Sequence, residues 1–467
     1  MRRTKIVCTI GPASESEDAI RRLIAEGMDV ARLNFSHGSH ASHGRVIRRI
    51  RRAARHAGRP VAILQDLPGP KIRIGSIQGD RIQLRRGQTY TLTARRLLGN
   101  ALMVSVSHRT FARVIKPGDP ILIGDGEIEL EAVKREKDSV VCKVTLGGVL
   151  SSHKGIHFPR GNLNLPALTP QDKRDLSFGI KQNVDFVALS FVRHSRDVLQ
   201  ARREMRKRNS TIPLIAKIEK HEALDHIDAI LEAVDGIMVA RGDLGLEIPL
   251  EKVPSFQKMM IRKANRLGKP VITATQMLRS MVQNPRPTRA EVADIANAVL
   301  DGTDALMLSE ESAVGNYPVE AVRTMAQIAA ETEKILEPRA QFDGPAPTVP
   351  EAISYAAVSL ARDLRVKAFV IPTTSGSTAR MIARYRPSQP IVAVSPNAET
   401  VKSLCLVSGV YPVHVGSFQS TETMLRLAQE RALKSGLVKR GDLVAITAGL
   451  PLHQSGTTNM ITVKPID

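Results

Sequence analysis

Tryptophan is absent, and aromatic residues make up only 3% of the 467 positions. Proteins that grip single-stranded nucleic acid stack bases on aromatic side chains set among basic ones. That scarcity argues against a nucleic-acid partner, although the formal net charge is +21. Cysteine is scarce too. Cys8, Cys142 and Cys405 are odd in number and far apart, which excludes a disulfide framework and offers no zinc spacing. Such thiols suit a reducing, cytoplasmic setting. No apolar run approaches the roughly 18 residues of a membrane-crossing helix, so no membrane partner is expected. The opening MRRTKIVCTIGPAS has too short an apolar core for a secretory signal and reads as a first strand. Glycine-rich phosphate loops are missing: neither GxxxxGK before Ser or Thr nor a helix-opening GxGxxG occurs. A nucleotide here would depend on basic side chains and a metal.

What is present centres on Pro213 to Pro249. Two short apolar runs, Pro213–Ile218 and Gly236–Ala240, flank an amphipathic segment, which is a strand–helix–strand pattern. Side chains alternate along a strand, so Lys217 and Glu219 point to the same side. The second run delivers Arg241, Gly242 and Asp243. One lysine and two carboxylates therefore meet at the ends of neighbouring parallel strands. Hard divalent cations take such oxygen ligands. A lysine beside them would stabilise negative charge developing on a substrate oxygen.

Six more apolar runs share this character: Lys5–Ile10, Asp29–Leu33, Val61–Gln65, Phe186–Ser190, Val271–Ala274 and Ala305–Leu308. Eight parallel strands with helices between most of them predict a (β/α)8 barrel, whose active site lies at the C-terminal strand ends. Residues 1–67 and 166–336 are assigned to it. Residues 68–165 change to alternating patterns such as TYTLTA and SVVCKVTL, the mark of an inserted all-β domain. The insertion carries 16 Lys/Arg against 8 Asp/Glu, a balance suited to a lid over polyphosphate. Residues 337–350, EPRAQFDGPAPTVP, read as a linker. Residues 351–467 alternate helix and strand patterns, a C-terminal α/β domain. The densest basic run, positions 45–59, places Val46, Ile47, Ile50, Ala53, Ala54 and Ala57 on one stripe, so its arginines belong to the outer face of a helix.

Other strand ends carry polar groups. Arg32, Asn34 and Ser36 alternate in VARLNFSHGSH; Arg32 offers a planar fork suited to phosphate, and the other two offer neutral oxygens suited to a monovalent cation. Pro68, Gly69 and Pro70 form a stiff hinge into the insertion. Thr275 ends strand seven with a hydroxyl aimed at the pocket, and strand eight runs into Ser309 and Glu311. In the C-terminal domain, Thr373, Thr374, Ser375, Gly376, Ser377 and Thr378 link a strand to a helix, and such hydroxyls and N–H groups form a phosphate cradle.

KIEKHEAL with GIMVARGDLGLEIP, and above all VITATQMLRSMVQNPRPTRAEVADIANAVLDGTDALMLSEESAVGNYP, resemble the pyruvate kinase family. The resemblance runs along the whole chain and implies phosphoryl transfer from phosphoenolpyruvate to ADP, giving pyruvate and ATP. It implies that Glu219 and Asp243 hold Mg2+ or Mn2+, that Lys217 stabilises the enolate, and that Arg32 binds the substrate phosphate. Gly242, Asp243 and Thr275 would receive the substrate carboxylate. Thr275 would also lie on the protonated face, with Ser309 and Glu311 continuing a proton relay. Arg73, Lys154, Asn34 and His37 would serve the nucleotide. The Thr373–Thr378 loop would bind a phosphorylated effector, its partner being the loop around Leu450–Thr458, and the assembly would be a homotetramer. The chain departs from the family at Glu310, usually Gly, and at Val314, usually Lys.

A further departure concerns potassium. Family members with DTKGPEIR hold the ion with groups matching Asn34, Ser36, Asp66 and the residue at 67. Here the segment is Asp66-Leu67-Pro68-Gly69-Pro70-Lys71-Ile72-Arg73, so Leu67 brings no hydroxyl and Lys71 replaces the acid. Two unit charges about 4 Å apart repel by roughly 4 kcal/mol at an effective dielectric of about 20. The expectation is that potassium is not required. Two other classes stay open at this point. A barrel aldolase or lyase would cleave carbon–carbon bonds without nucleotide. A nucleic-acid-binding protein would bind tightly and with steep salt dependence.

Overall fold

The computed structural model describes residues 2–161, 163, 165–338, 348–417, 420–449 and 458–466. Eight parallel strands close into a barrel: Lys5–Thr9, Val30–Asn34, Ala62–Asp66, Phe186–Leu189, Leu214–Ile218, Gly236–Ala240, Val271–Ala274 and Ala305–Leu308. Each lies within one residue of its expected bounds. Strand one closes the ring by pairing Lys5 with Ala305 and Cys8 with Leu308. Both faces of the strands are buried, which is why they read as continuous apolar runs. Val7, Leu64, Phe186, Ile215, Met238 and Ile272 fill the barrel interior. Ile6, Leu33, Ile63, Val187, Ile237 and Leu306 face the helices outside.

The helices start where the chain supplies caps. Ser16 accepts from Ala19 N–H, and Thr169 and Thr288 form reciprocal capping boxes with Asp172 and Glu291. The basic helix His40–His56 buries Val46, Ile47, Ile50, Ala53 and Ala54. Its arginines mostly look outward, as the stripe predicts. Ala57 is the exception: it is the C-cap, past the last helical turn, and is exposed.

Between the third and fourth barrel strands lie eight short strands in two sheets, one of two strands and one of six. They enclose their own core, with Tyr90, Leu92, Phe111, Leu130 and Val140 buried. Past the barrel, five strands form one sheet in the order Val410–His414, Ile391–Ser395, Ala368–Pro372, Leu443–Gly449, Thr458–Pro465. The last pair is antiparallel and the others are parallel. Among the described residues, no helix is long and apolar enough to cross a membrane.

The C-terminal domain seals the floor of the barrel. Cys405 and Leu406 join the cluster that fills the interior. Burial pushes the Cys405 thiol up to about 12, so it packs as a small apolar group. Asp304, just before strand eight, is 2% exposed and has three partners. It accepts from Arg386 Nη2 at 2.8 Å, from Ser408 N–H at 3.0 Å and from Val271 N–H at 3.1 Å. Removing one partner of a buried pair leaves the other charge uncompensated, which costs about 3–5 kcal/mol. Asp304→Ala is therefore expected to lower the midpoint of the first unfolding transition in guanidinium, and an unchanged midpoint would contradict this account of the floor.

Candidate active site

At the C-terminal strand ends, Arg32 and Lys217 converge on Asp66. This carboxylate ends strand three and is 1% exposed. Its Oδ2 accepts from Arg32 Nε at 2.7 Å, and its Oδ1 lies 3.3 Å from Lys217 Nζ. Burial alone would raise its pKa, but the Lys217 and Arg32 charges hold it below the usual carboxylate range. Strand five supplies Lys217, and Glu219 follows its last residue, with Nζ 2.8 Å from Glu219 Oε1. Burial works to lower the lysine pKa; Asp66 and Glu219 overcome it and raise the value, so the ammonium stays charged. Its remaining donor reaches Ser190 Oγ at 2.8 Å, and that hydroxyl donates onward to Leu67 O at 2.7 Å.

Arg32 is fixed from a second side. Its Nη1 donates to Thr9 Oγ1 at 2.8 Å, and Thr9 donates to Leu308 O at 2.8 Å. Strands one, two, three and eight are thereby tied at the mouth. Thr9 and Ser190 were missed in the sequence, although both stand at the C-terminal end of a barrel strand, where the fold places chemistry.

Glu219 is 1% exposed, and its pKa is raised, first by burial and then by the Asp243 charge. Among the described residues, a backbone N–H, from Phe191 at 2.7 Å, and Lys217 answer it. Glu219, buried, and Asp243, half-buried, carry like charges and are a donor set that suits a hard divalent cation. Asp243 lies in a one-turn helix, Arg241–Leu244, directly after strand six. Arg241 anchors that turn through a two-pronged ion pair with Asp294, at 2.6 and 2.7 Å. A second cluster, His221, Glu222 and Glu247, brings possible ligand atoms within 4.8 Å of one another. Glu247 there is already engaged by Lys220 at 2.5 Å and His221 at 3.3 Å, so this is an ion-pair cluster beside the site.

Thr275 and Gln276 both adopt left-handed backbone, φ 72° and 56°. Such residues persist only where surroundings hold them. Here Arg241 Nη2 donates to Thr275 O at 2.9 Å, and Thr275 Oγ1 accepts from Gly242 N–H at 2.8 Å. The Gly242 N–H expected to meet a carboxylate is thus bonded to the Thr275 hydroxyl, and a substrate would exchange with it. Glu311 is buried, accepting from Ser309 N–H at 2.7 Å and Leu278 N–H at 3.1 Å. Both its oxygens hold loop backbone, which makes it a clamp on the strand-eight loop; a relay through it would first have to open one of these bonds.

Three of the four monovalent-cation positions, Asn34, Asp66 and Leu67, have internal partners. Asn34 Oδ1 accepts from Ser36 N–H at 3.1 Å, the Leu67 carbonyl accepts from Ser190, and Asp66 serves Arg32 and Lys217. Lys71 lies along Gly155 of the insertion; a Cβ added to that glycine would sit 3.3 Å from Lys71 Cε. His37 is exposed, and its carbonyl accepts from His43 at 2.9 Å. In the insertion, Arg73 pairs with Gly155, next to Lys154. Arg73 Nη1 donates to His153 O at 3.0 Å, and Lys154 meets Glu127 at 3.0 Å. The insertion rests on the barrel: a cavity at their seam is lined by Lys71 and His157 from one side and Phe191 and Lys220 from the other.

In the C-terminal domain the Thr373–Thr378 loop folds back on itself. Thr373 Oγ1 accepts from Gly376 N–H at 2.9 Å, with Gly376 at φ 78°. Thr378 Oγ1 lies 2.7 Å from Thr458 Oγ1. Arg380, missed in the sequence, donates to Ser375 O at 2.8 Å. The rest of the partner loop, 450–457, lies outside the described residues.

Fold and mouth together have the form of a (β/α)8 barrel enzyme, with two cationic side chains and two carboxylates gathered at the C-terminal strand ends. Comparison with known proteins narrows that class. The model of the pyruvate kinase barrel domain matches residues 1–322, and that of the pyruvate kinase alpha/beta domain matches 351–464. A pyruvate kinase of Geobacillus stearothermophilus is 50% identical over 472 residues, covering 100% of this chain and 80% of that one. One from Clostridium acetobutylicum is 44% identical, with both chains covered completely. The solved structure of a pyruvate kinase from Cryptosporidium parvum superposes with TM-score 0.92 at 38% identity, covering 100% of this chain and 96% of that one. The chain belongs to the pyruvate kinase family, and its enzyme class is phosphotransferase.

Proposed function

We propose that the chain transfers the phosphoryl group of phosphoenolpyruvate to ADP, with each mouth residue in the role its geometry allows. The observation that carries this reading is the buried, fully charged Lys217 held between Asp66 and Glu219. Arg32 and Lys217 face the transferring group with positive charge, and Asp66 keeps both aimed. A Mg2+ or Mn2+ ion on Glu219 and Asp243 would supply Lewis-acid charge to the reacting oxygens. The bond from phosphorus to the enol oxygen breaks as one to the terminal ADP oxygen forms, leaving an enolate beside Lys217. Thr275 stands where the enolate carbon takes its proton, with Ser309 behind it and Glu311 as the positioning residue. Gly242 and Asp243 N–H groups receive the carboxylate. Arg73, Lys154, Asn34 and His37 serve the nucleotide, closed in by the inserted domain.

Enolate charge appears only along the reaction path, so losing Lys217 should lower turnover more than substrate binding. One lost donor of this kind costs on the order of 10²–10³ in rate. Pyruvate release, read by a coupled assay with and without ADP, should depend on ADP in the native enzyme and fall by that factor in Lys217→Met. Near-full turnover of the variant would refute the assignment, and carbon–carbon cleavage without ADP would refute the function.

Potassium is proposed to be dispensable. The support is Lys71 in place of an acid, Leu67 in place of a hydroxyl, and internal partners for Asn34 Oδ1 and the Leu67 carbonyl. Rates in potassium and tetramethylammonium salts at equal ionic strength should match within a few-fold, and Lys71→Glu should create a requirement. Tenfold stimulation of the native enzyme by potassium would sink the idea.

The Thr373–Thr378 loop is proposed to bind a monophosphate activator, a sugar monophosphate or AMP, in a homotetramer whose mass in solution checks the assembly. Leu450–Thr458 lacks the aromatic and basic residues that would hold the second phosphate of fructose 1,6-bisphosphate. Adding either monophosphate should lower the KM for phosphoenolpyruvate; kinetics indifferent to both would reject the site.

A further inference from the structure

The chain leaves the barrel for the insertion at Gly69 and is back in a barrel helix by Pro170, and one side chain joins the two places. Asp172 stands in the first turn of the helix Pro170–Lys181 and is fully buried. Its Oδ2 accepts from Thr169 N–H at 2.7 Å and from Thr169 Oγ1 at 2.6 Å, which is the work of a capping box. Its Oδ1 has a different partner. It accepts from Gly69 N–H at 3.1 Å, 103 residues earlier in the chain. One carboxylate therefore grips the outgoing crossing and the helix that follows the returning one. Bonds to an ionised acceptor are stronger than neutral ones, by roughly a factor of two.

The neighbouring bonds locate the hinge. On the barrel side, Leu67 N–H donates to Ala188 O at 3.1 Å, and Leu67 O accepts from Ser190 Oγ at 2.7 Å. On the far side, Ile72 O accepts from Ile156 N–H at 3.1 Å, inside the insertion. The link between the two bodies is thus Gly69, Pro70 and Lys71. Pro68 and Pro70 each fix one backbone torsion of it. Gly69 has φ 66°, and an added Cβ would stand 3.0 Å from Phe191 Cδ2 and Ser190 Cβ, so no larger residue fits. With the Gly69 N–H held, the soft torsions are those after its Cα. Released, the link would gain Gly69 φ and Pro68 ψ. The returning crossing is tied down separately, the Leu163 and Leu165 carbonyls accepting from Arg193 at 3.0 and 2.5 Å.

We propose that Asp172 is the hinge pin of the insertion and a positioning residue for the nucleotide. By holding Gly69 it confines the swing of the lid to three residues, so Arg73 and Lys154 arrive over the mouth along one path. A loose pin lets them arrive along many, and the loss falls on the nucleotide, because phosphoenolpyruvate is held by the barrel. The inference rests on the reading that the insertion closes over the nucleotide. The probe is Asp172→Asn in the full-length protein, since an amide of the same shape has one acceptor oxygen and cannot answer Thr169 and Gly69 together. The variant should raise the KM for ADP at least fivefold and keep that for phosphoenolpyruvate within twofold. Thr169→Val weakens the same cap but leaves Gly69 its partner, so both KM values should stay within twofold. Amide hydrogen exchange reads the pin directly. Proline has no N–H, so Gly69 alone reports for positions 68–70. Its exchange should be slow in native protein, unchanged by Mg2+ and ADP, and at least tenfold faster in Asp172→Asn. Fast exchange at Gly69 in native protein would overturn the proposal whether or not the variant folds. So would an unchanged KM for ADP in Asp172→Asn, or an equal rise in Thr169→Val. Failure of the nucleotide reading itself shows elsewhere, as pyruvate release by native enzyme that is indifferent to ADP.

Discussion

Asp66 holds two cations out of water, and the barrel mouth is arranged around that fact. A lone buried carboxylate would protonate or stay solvated; with Arg32 and Lys217 on either side it remains charged. The same contacts keep Lys217 charged against its burial and fix the guanidinium fork of Arg32. Each cation is tied a second time, Arg32 through Thr9 and Lys217 through Ser190. Side chains from strands one, two, three and five therefore share one network with the residue after strand four. Their relative positions follow from pairing rather than from the stiffness of any single loop.

Across that network stand Glu219 and Asp243, whose mutual repulsion is relieved only in part by Lys217. This is a preorganised imbalance: the protein fold bears the work of bringing like charges together, so that a cation gains on arrival. The strained backbone at Thr275 belongs to the same arrangement. Arg241, anchored by Asp294, holds both the Asp243 turn and the Thr275 carbonyl, so one guanidinium sets the spacing between two loops.

Much of this was legible in the sequence. Barrel strands buried on both faces read as unbroken apolar runs, and their polar ends mark the mouth without any tertiary information. Lys217 and Glu219 followed from alternation alone. What the sequence hid was partnership across strands. Asp66 looked like one of several cation ligands because nothing local reveals that Arg32 and Lys217 converge on it. Glu311, expected in a proton relay, also holds the backbone N–H groups of Leu278 and Ser309, contacts between different loops that the sequence does not show. Arg380 was invisible because its partner is a backbone carbonyl. Ala57 failed for a local reason: the stripe continues one residue beyond the helix.

Closure of the barrel also has a direction in time. Strand one pairs with strand eight, Lys5 against Ala305, so 300 residues separate two neighbours in the ring. At the roughly 5–20 residues per second of protein synthesis, that interval is on the order of 15–60 s. Through it, one edge of strand one has no native partner. The inserted domain, whose core runs from Ile74 to Leu163, is complete long before. The floor is later still, since Cys405 and Leu406 reach the interior only from the C-terminal domain. On the ribosome the lid is ready first, the mouth next and the floor last.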